Sequence, residues 1–485
     1  MFSVPRNPST TFIFFLLLFC WGCFPFSVSR AQEPRPSTAS SYSPALPILV
    51  IDSIRIEGNR RTRSSILLRE LPFEAGDTCQ LPQLVRWFEE SKRVLMNTSL
   101  FQQVTVFADT FMGDRVRVTV RVRERNNFYP VLYFDPIDRN LNQWLVEQNA
   151  SLRRVNYGVQ LYFNNTTGVG DRSLLMLLGG YTQQVSFSYE RPYLDKRMRW
   201  GMRVGFSQSR NHEVNLQTVN DKQVFLRNPD VFLRRQTQAF VEVQHCPRIN
   251  TRHTFGFQWR SDRVGDTVLL RNPTYFPEGR TQVQYPRFYY VMNFQRVDYL
   301  PYPRKGSLVQ LQTIKTGLGS SSMDLFELHG KWMMHWPLNS KWGLAWGGYA
   351  GVKFPTHQPF VNRRFLGYGN QFVSGYEYYV VDGMSGGLTR GYLNRELLRH
   401  TIHLPYKKGK DPIRIPIRLV GKSFVQAGYV HDPESPADSR LSNRFLYSGG
   451  VGLDLLIFYD VLFRLEYSIN RFGENGLFLH RKYPF

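Results

Sequence analysis

The stretch FRLEYSI (Phe463–Ile469) sets Phe463, Leu465, Tyr467 and Ile469 in strict alternation with Arg464, Glu466 and Ser468. A period of two places alternate side chains on opposite faces, so this is a strand with one apolar and one polar face. The period recurs from Arg125 onward. Val185, Phe187 and Tyr189 alternate with Ser186, Ser188 and Glu190; Phe255, Phe257 and Trp259 with Thr254, Gly256 and Gln258; Val451, Leu453, Leu455 and Ile457 with Gly450, Gly452 and Asp454. No helical spacing interrupts the series. The segment is mainly β and antiparallel.

Such alternation fits a soluble β-sandwich or a barrel spanning a membrane. Three features favour the barrel. First, residues 1–31 read as a signal peptide: Arg6, the apolar run Thr11–Phe24, and a small-residue cleavage site at Ser29–Gln32, after Ala31. A lipoprotein signal ending at Cys23 is the alternative, although CWGC (Cys20–Cys23) lacks the leucine-type start of such a box. No other run approaches the about 18 apolar residues of a membrane helix. Second, aromatics crowd the segment ends: Tyr157 and Phe163, Tyr289 and Tyr290, Trp342 and Trp346, Tyr483 and Phe485. Interfacial girdles have this distribution. Third, short turns (Leu194–Met198) alternate with long polar loops (His212–Asp230). With about 9–11 residues per spanning strand, residues 125–485 hold about sixteen strands. Composition alone does not separate fourteen from eighteen.

Ahead of the barrel, residues 32–49 form a Pro/Ser-rich linker, and residues 50–124 a small α+β domain. Its first strand is VIDSIRIEG (Val50–Gly58). A short helix follows, with Thr62 as its expected N-cap and Ile66, Leu67 and Leu71 inward. Leu81, Leu84, Phe88 and Leu95 mark a second helix, and LFQQVTVF (Leu100–Phe107) a strand. In the last strand Val116, Val118, Val120 and Val122 alternate with Arg115, Arg117, Arg121 and Arg123. That arginine face is either plain solvated surface or a dock for lipid phosphates or an acidic partner. The domain also offers a sheet edge to a client strand, either Leu100–Phe107 or Val50–Gly58.

The net charge of +23 is spread along the chain between apolar residues. Nucleic-acid binders concentrate theirs in a patch or tail, so the basic balance fits a bilayer and lipopolysaccharide phosphates instead. Loss of the signal leaves Cys79 and Cys246, too far apart for a disulfide framework. GMSGG (Gly383–Gly387) matches a nucleophile-elbow pattern, but strand-like text follows it where a helix is needed. His245 and Cys246 are adjacent on a strand, face opposite ways, and make poor joint ligands with His253. The acids show no paired-carboxylate signature. No enzyme, cofactor or metal is expected.

With these residues in view, the mature chain resembles the BamA/TamA family of outer-membrane assembly and translocation barrels, of the bacterial surface antigen type. Glu57–Asp77 and Asn97–Val106 are similar to a POTRA module, here a single one. NNTTGVGD (Asn164–Asp171) resembles the periplasmic turn between barrel strands two and three, and YERPYL (Tyr189–Leu194) the end of strand four. RFLGYGNQFVSGYEYYVVDG (Arg364–Gly383) resembles the sixth extracellular loop, which folds back into the lumen. The loop-six motif here is Val373, Ser374, Gly375 and Tyr376, with Asp382 beyond it; the family has Arg where Ser374 stands. That Arg pins the loop to acidic lumen residues. Here either Arg363 or Arg364 substitutes, or the loop is held less tightly, with Tyr376, Glu377 and Asp382 as candidate anchors. Tyr483 and Phe485 resemble the C-terminal signal of outer-membrane barrels, and Pro484 with His480, Arg481 and Lys482 fits a weakly paired last strand. The resemblance implies an assembly factor in the outer membrane with its POTRA domain in the periplasm. Its partners would be unfolded outer-membrane clients and periplasmic accessory proteins. The alternative is a dedicated translocation pore of the same family. A passive porin is disfavoured, because porins lack the POTRA module and the plugging loop.

Overall fold

The computed structural model describes residues 47–98, 100–137, 149–195, 197, 199–318, 323–369, 371–404, 413–457 and 461–480. The expected signal peptide, Cys20, Cys23, most of the linker, and Arg481, Lys482, Tyr483, Pro484 and Phe485 lie outside them.

The N-terminal domain is a four-stranded sheet of β1 (Ile48–Glu57), β2 (Thr78–Gln80), β3 (Phe101–Met112) and β4 (Arg115–Glu124), ordered β2-β1-β4-β3. Two helices, Ser64–Glu70 and Leu81–Asn97, cover one face. Ile51, Leu67, Leu84, Leu95, Phe101, Val116, Val118 and Val120 form the core beneath them. The alternation of β4 turns its valines to the helices and leaves Arg115, Arg121 and Arg123 exposed. β1 pairs in parallel with β4 over Val50–Glu57 but with β2 only over Ile48–Val50, so β3 forms one edge and the Asp52–Glu57 part of β1 has no second strand among the described residues. Both candidate edges, Leu100–Phe107 and the Asp52–Glu57 part of Val50–Gly58, therefore remain open to a client strand. Thr62 is not the helix cap. The cap position is Arg63, without a side-chain cap bond. Thr62 instead donates its hydroxyl to Glu124 at 2.6 Å, because a half-buried carboxylate competes better for it than the helix end does.

The remaining strands are β5 (Phe128–Pro136), β6 (Val155–Asn164), β7 (Arg172–Gly180), β8 (Thr182–Arg191), β9 (Trp200–Asn211), β10 (Glu213–Val219), β11 (Lys222–Arg227), β12 (Arg234–Arg248), β13 (Thr251–Val264), β14 (Gln282–Val297), β15 (Gly306–Thr316), β16 (Leu325–Pro337), β17 (Trp342–Phe354), β18 (Arg364–Leu366), β19 (Val381–Asp382), β20 (Ser385–Leu404), β21 (Ile413–His431), β22 (Leu446–Ile457), β23 (Val461–Asn470) and β24 (Asn475–His480). Sixteen of them form one antiparallel sheet, running from β5 through neighbours in chain order to β24. β10 with β11 and β18 with β19 are small hairpins within connections. The connection expected to be a plain loop, His212–Asp230, thus folds on itself. Its turn is Asn220–Asp221, with φ of 50° and 59°, the left-handed pair that a tight hairpin demands.

The burial pattern separates barrel from sandwich. On β23 the charged and polar residues Arg464, Glu466, Ser468 and Asn470 are buried, while Phe463, Leu465, Tyr467 and Ile469 are 36–47% exposed. A soluble sandwich buries the apolar face. Here the apolar face points outward and the charges line the interior, as a barrel in lipid requires.

Candidate functional site

Counting connections at the end away from the N-terminal domain, the one between β17 and β20 is the sixth. It carries the segment Arg364–Gly383, and it is buried. Val373 and Tyr376 are 2% and 3% exposed, and they pack with Tyr349, Phe365, Leu366, Leu388 and Val430. Gly375 adopts φ +89°, a left-handed turn that aims Ser374 and Tyr376 apart. The Tyr376 hydroxyl donates to the carbonyl of Tyr447 at 3.2 Å. Asn470 donates to the carbonyl of Gly375 at 2.8 Å.

Ser374 sits where the resemblance calls for a cation. Its backbone N–H donates to Gln426 at 3.1 Å, the Gln426 amide donates to its hydroxyl at 2.8 Å, and that hydroxyl donates to Glu466 at 3.2 Å. The cation comes from the wall instead. Lys422 on β21 reaches Glu466 at 2.5 Å and Asp454 on β22 at 3.1 Å. Arg464 on β23 clamps Asp454 with two bonds of 2.9 and 3.0 Å. From the other end of the barrel, Tyr302 in the turn after β14 donates to the same Asp454 at 3.0 Å. All four charged side chains are at most 5% exposed.

Neither expected substitute reaches this network. Arg363 bonds Asp432 at 2.6 Å, and Arg364 lies over the rings of Phe360 and Tyr368. The expected anchors are engaged, but with new partners. Asp382 accepts from the Tyr368 hydroxyl, which also contacts Thr218 of the β10–β11 hairpin at 3.0 Å. Burial pushes the Asp382 carboxyl and the Tyr368 hydroxyl above their ordinary values. Glu377 accepts from the Gly375 N–H at 2.7 Å. Among the described residues, then, loop six is bound to the hairpin above it and to the β21–β23 wall beside it.

Lys422, Gln426, Asp454, Arg464 and Glu466 went unnoticed as site residues. Their signal is charge at period two on strands whose other face is apolar. That pattern marks an inward face but not who pairs with whom.

A second joint ties the N-terminal domain to the barrel. The backbone N–H of Arg63 donates to the carbonyl of Gly168, in the turn between β6 and β7, at 2.9 Å. Asn165 of that turn donates to Thr62 at 2.7 Å. Gly168 has φ +81°, and a Cβ there would stand 2.3 Å from the Arg61 carbonyl oxygen, so the two backbones touch only because it is glycine. Arg69 bonds and lies over Tyr193, in the turn after β8. The arginine face of β4 points elsewhere. Arg115 pairs with Asp52 at 3.4 Å and Arg121 with Glu57 at 2.9 Å, both on β1. Arg117 and Arg123 share that face.

Among the decoys, Ser385 simply begins β20. His245 stacks on Trp200 and His253 bonds Tyr290, with Cys246 a free thiol.

Comparison with known proteins follows the same division. The Omp85 superfamily domain matches residues 165–457, and the POTRA family, described as surface antigen variable number repeat, matches residues 49–125. Among solved structures, BamA from Haemophilus ducreyi lacking POTRA domains 1–3 is similar at TM-score 0.54 and 17% identity, over 89% of this chain and 83% of that one. CdiB from Escherichia coli is similar at TM-score 0.47 and 12% identity, over 92% of each chain. No curated protein sequence matches the chain.

Proposed function

The chain belongs to the Omp85 superfamily, whose members are assembly or transport barrels, and from that premise we propose that it is an outer-membrane assembly factor that helps other β-barrels fold and insert. That membership supports a barrel in the outer membrane with its POTRA domain in the periplasm.

The observation that supports assembly over a through-pore is the filled interior. Loop six is locked to the β21–β23 wall, and Tyr302 meets the same Asp454 from the opposite end. Moving a chain through the bore means displacing loop six and breaking the buried hydrogen bonds that Ser374 makes to Gln426 and Glu466, at about 1–3 kcal/mol for each buried group left unsatisfied. The seam between β5 and β24, the two ends of the sheet order, makes no such demand. A client strand added there gains backbone bonds without crossing the lumen. The edge strand β3 of the POTRA domain offers a second template on the periplasmic side.

Depletion followed by quantitative proteomics of the purified outer membrane tests the reading. An assembly factor lowers many unrelated barrels together, and unfolded precursors accumulate. If one secreted or surface protein disappears while other barrels hold level, the chain is a dedicated translocator.

A further inference from the structure

We propose that Glu377, Glu466 and His480 form a divalent-cation site of the Zn²⁺ class, which joins loop six to the last two strands of the barrel. The three come from separate elements: Glu377 from loop six, Glu466 from β23 and His480 from β24. They are 4%, 2% and 8% exposed, and one ligand atom from each lies within 4.8 Å of the others.

Two observations point to a ligand. The first is the spacing. His480 Nε2 stands 3.5 Å from Glu377 Oε1 and 3.6 Å from Glu466 Oε2. Those separations are long for hydrogen bonds. Ligand atoms held at about 2.0–2.2 Å by a tetrahedral metal stand about 3.3–3.6 Å apart, so they match the edges of a coordination tetrahedron. The second is that two of the three facing atoms have nothing else to bond. Glu377 Oε1 and His480 Nε2 are buried without a hydrogen-bond partner, although buried polar atoms are nearly always satisfied.

The charges agree. The wall cations Lys422 and Arg464 are committed to Asp454 and Glu466, and Arg390 to the carbonyl of Phe372. Lys422 uses Oε1 of Glu466, while Oε2, which accepts from the Ser374 hydroxyl, is turned toward His480. Glu377 has His480 as its nearest basic group. One imidazole and two carboxylates form a mixed N/O set that suits Zn²⁺ better than Ca²⁺ or Mg²⁺, which favour oxygen alone. Three protein ligands leave the fourth position for solvent. The aromatic rings of Phe372 and Phe478 flank His480 and limit access to it. Bound there, the cation would fasten the plug to the terminal strand, tightening the part of the barrel that the seam uses. The binding test needs no client, so it stands or falls apart from the assembly reading.

The experiment uses the full chain without a histidine tag, refolded in detergent and stripped with chelator. Zn²⁺ binding is followed by calorimetry, and Co²⁺ is used as a spectroscopic stand-in. We expect one equivalent of Zn²⁺, visible bands of four-coordinate Co²⁺, and a loss of affinity of at least tenfold in both Glu377→Gln and His480→Gln. His431→Gln, at an exposed position, serves as a control and should bind like the wild type. Heat-modifiable gel mobility reports whether each variant has folded. If a variant does not fold, X-ray absorption on the Zn²⁺-loaded wild type decides, by the presence of one nitrogen and two carboxylate donors. Stoichiometric binding that survives both substitutions overturns the proposal. So does a wild type that binds no metal and instead responds only to pH, which would mean that protonated His480 or a bound water bridges the two carboxylates.

Discussion

Two appendages meet this barrel, and opposite chemistry holds them. Loop six is fixed inside the lumen by a network centred on buried charges, Lys422, Asp454, Arg464 and Glu466, into which it inserts only Ser374. The POTRA domain is fixed at the rim mainly by neutral contacts, the Arg63-to-Gly168 backbone bond and the Asn165-to-Thr62 bond, with Arg69 over Tyr193 as a charged addition. Within the lumen, water is scarce and charge is strong, so an ionic joint is all-or-none. At the rim the joint is also buried, but close fit of neutral backbone at Gly168 is what discriminates there. A motif with Arg on the loop and a chain with Lys on the wall then solve one problem in two ways.

The largest effect should come from breaking the lumen side. Lys422→Met strips Asp454 and Glu466 of a shared cation, and a buried charge left without its partner costs about 3–5 kcal/mol. Urea unfolding in lipid vesicles, followed by tryptophan fluorescence, measures it. Ser374→Arg alone should also destabilise, by crowding a second cation beside Lys422. The double variant Ser374→Arg/Lys422→Met should recover part of the loss, with a coupling of about 0.5–3 kcal/mol. Additive losses would mean that the loop and wall positions do not exchange the same charge.

Next in size is the rim. Gly168→Ala places a Cβ 2.3 Å from the Arg61 carbonyl in a left-handed turn, and strain of this kind costs about 1–3 kcal/mol. Because the clash lies between the domains, the barrel's own unfolding should stay unchanged while the POTRA domain undocks. Spin-label distances from the domain to the barrel rim would broaden. If barrel stability drops as far as in Lys422→Met, the contrast between the two joints fails.

A smaller loss is expected from Thr62→Val, which removes one donor to Glu124 and one acceptor for Asn165. Each such bond is worth about 1 kcal/mol net. Hydrogen exchange in residues 61–70 should rise without change in the barrel strands.

Thr62 also shows where the sequence stops being legible. Read locally, a threonine before an apolar helix is a cap. Its partner Glu124 lies at the far end of the domain, and no spacing rule connects them. The strands themselves were legible, because alternation is a property of neighbours along the chain. The sixth loop was legible only through its resemblance to a family segment, because the sequence left the strand number open between fourteen and eighteen. The hairpin Glu213–Arg227 was missed although Asn220–Asp221 sits between two alternating runs, since its polar text was read as a loop. The cation that answers Ser374 was illegible for a deeper reason: Lys422 and Glu466 meet across β22, between strands paired in register, and only the folded sheet brings their faces together.

The smallest effect is expected on the arginine face of the POTRA domain, and it bears on whether that face is a dock. Arg115 and Arg121 are more than half exposed, and their pairs with Asp52 and Glu57 are open to water. Such pairs contribute about 0–1 kcal/mol and weaken with salt, so Arg115→Ala and Arg121→Ala should leave POTRA unfolding nearly unchanged. Arg117 and Arg123 share the face, so four arginines meet only two carboxylates of β1. If the excess charge serves to hold anionic lipid, vesicles with acidic headgroups should bind the wild type more tightly than an Arg117→Ala/Arg123→Ala variant, and about 0.5 M salt should erase the difference. Equal binding at low salt would reduce the face to solvated surface. The rim joint would then remain the one feature of the POTRA domain, apart from its open sheet edges, that acts on the barrel.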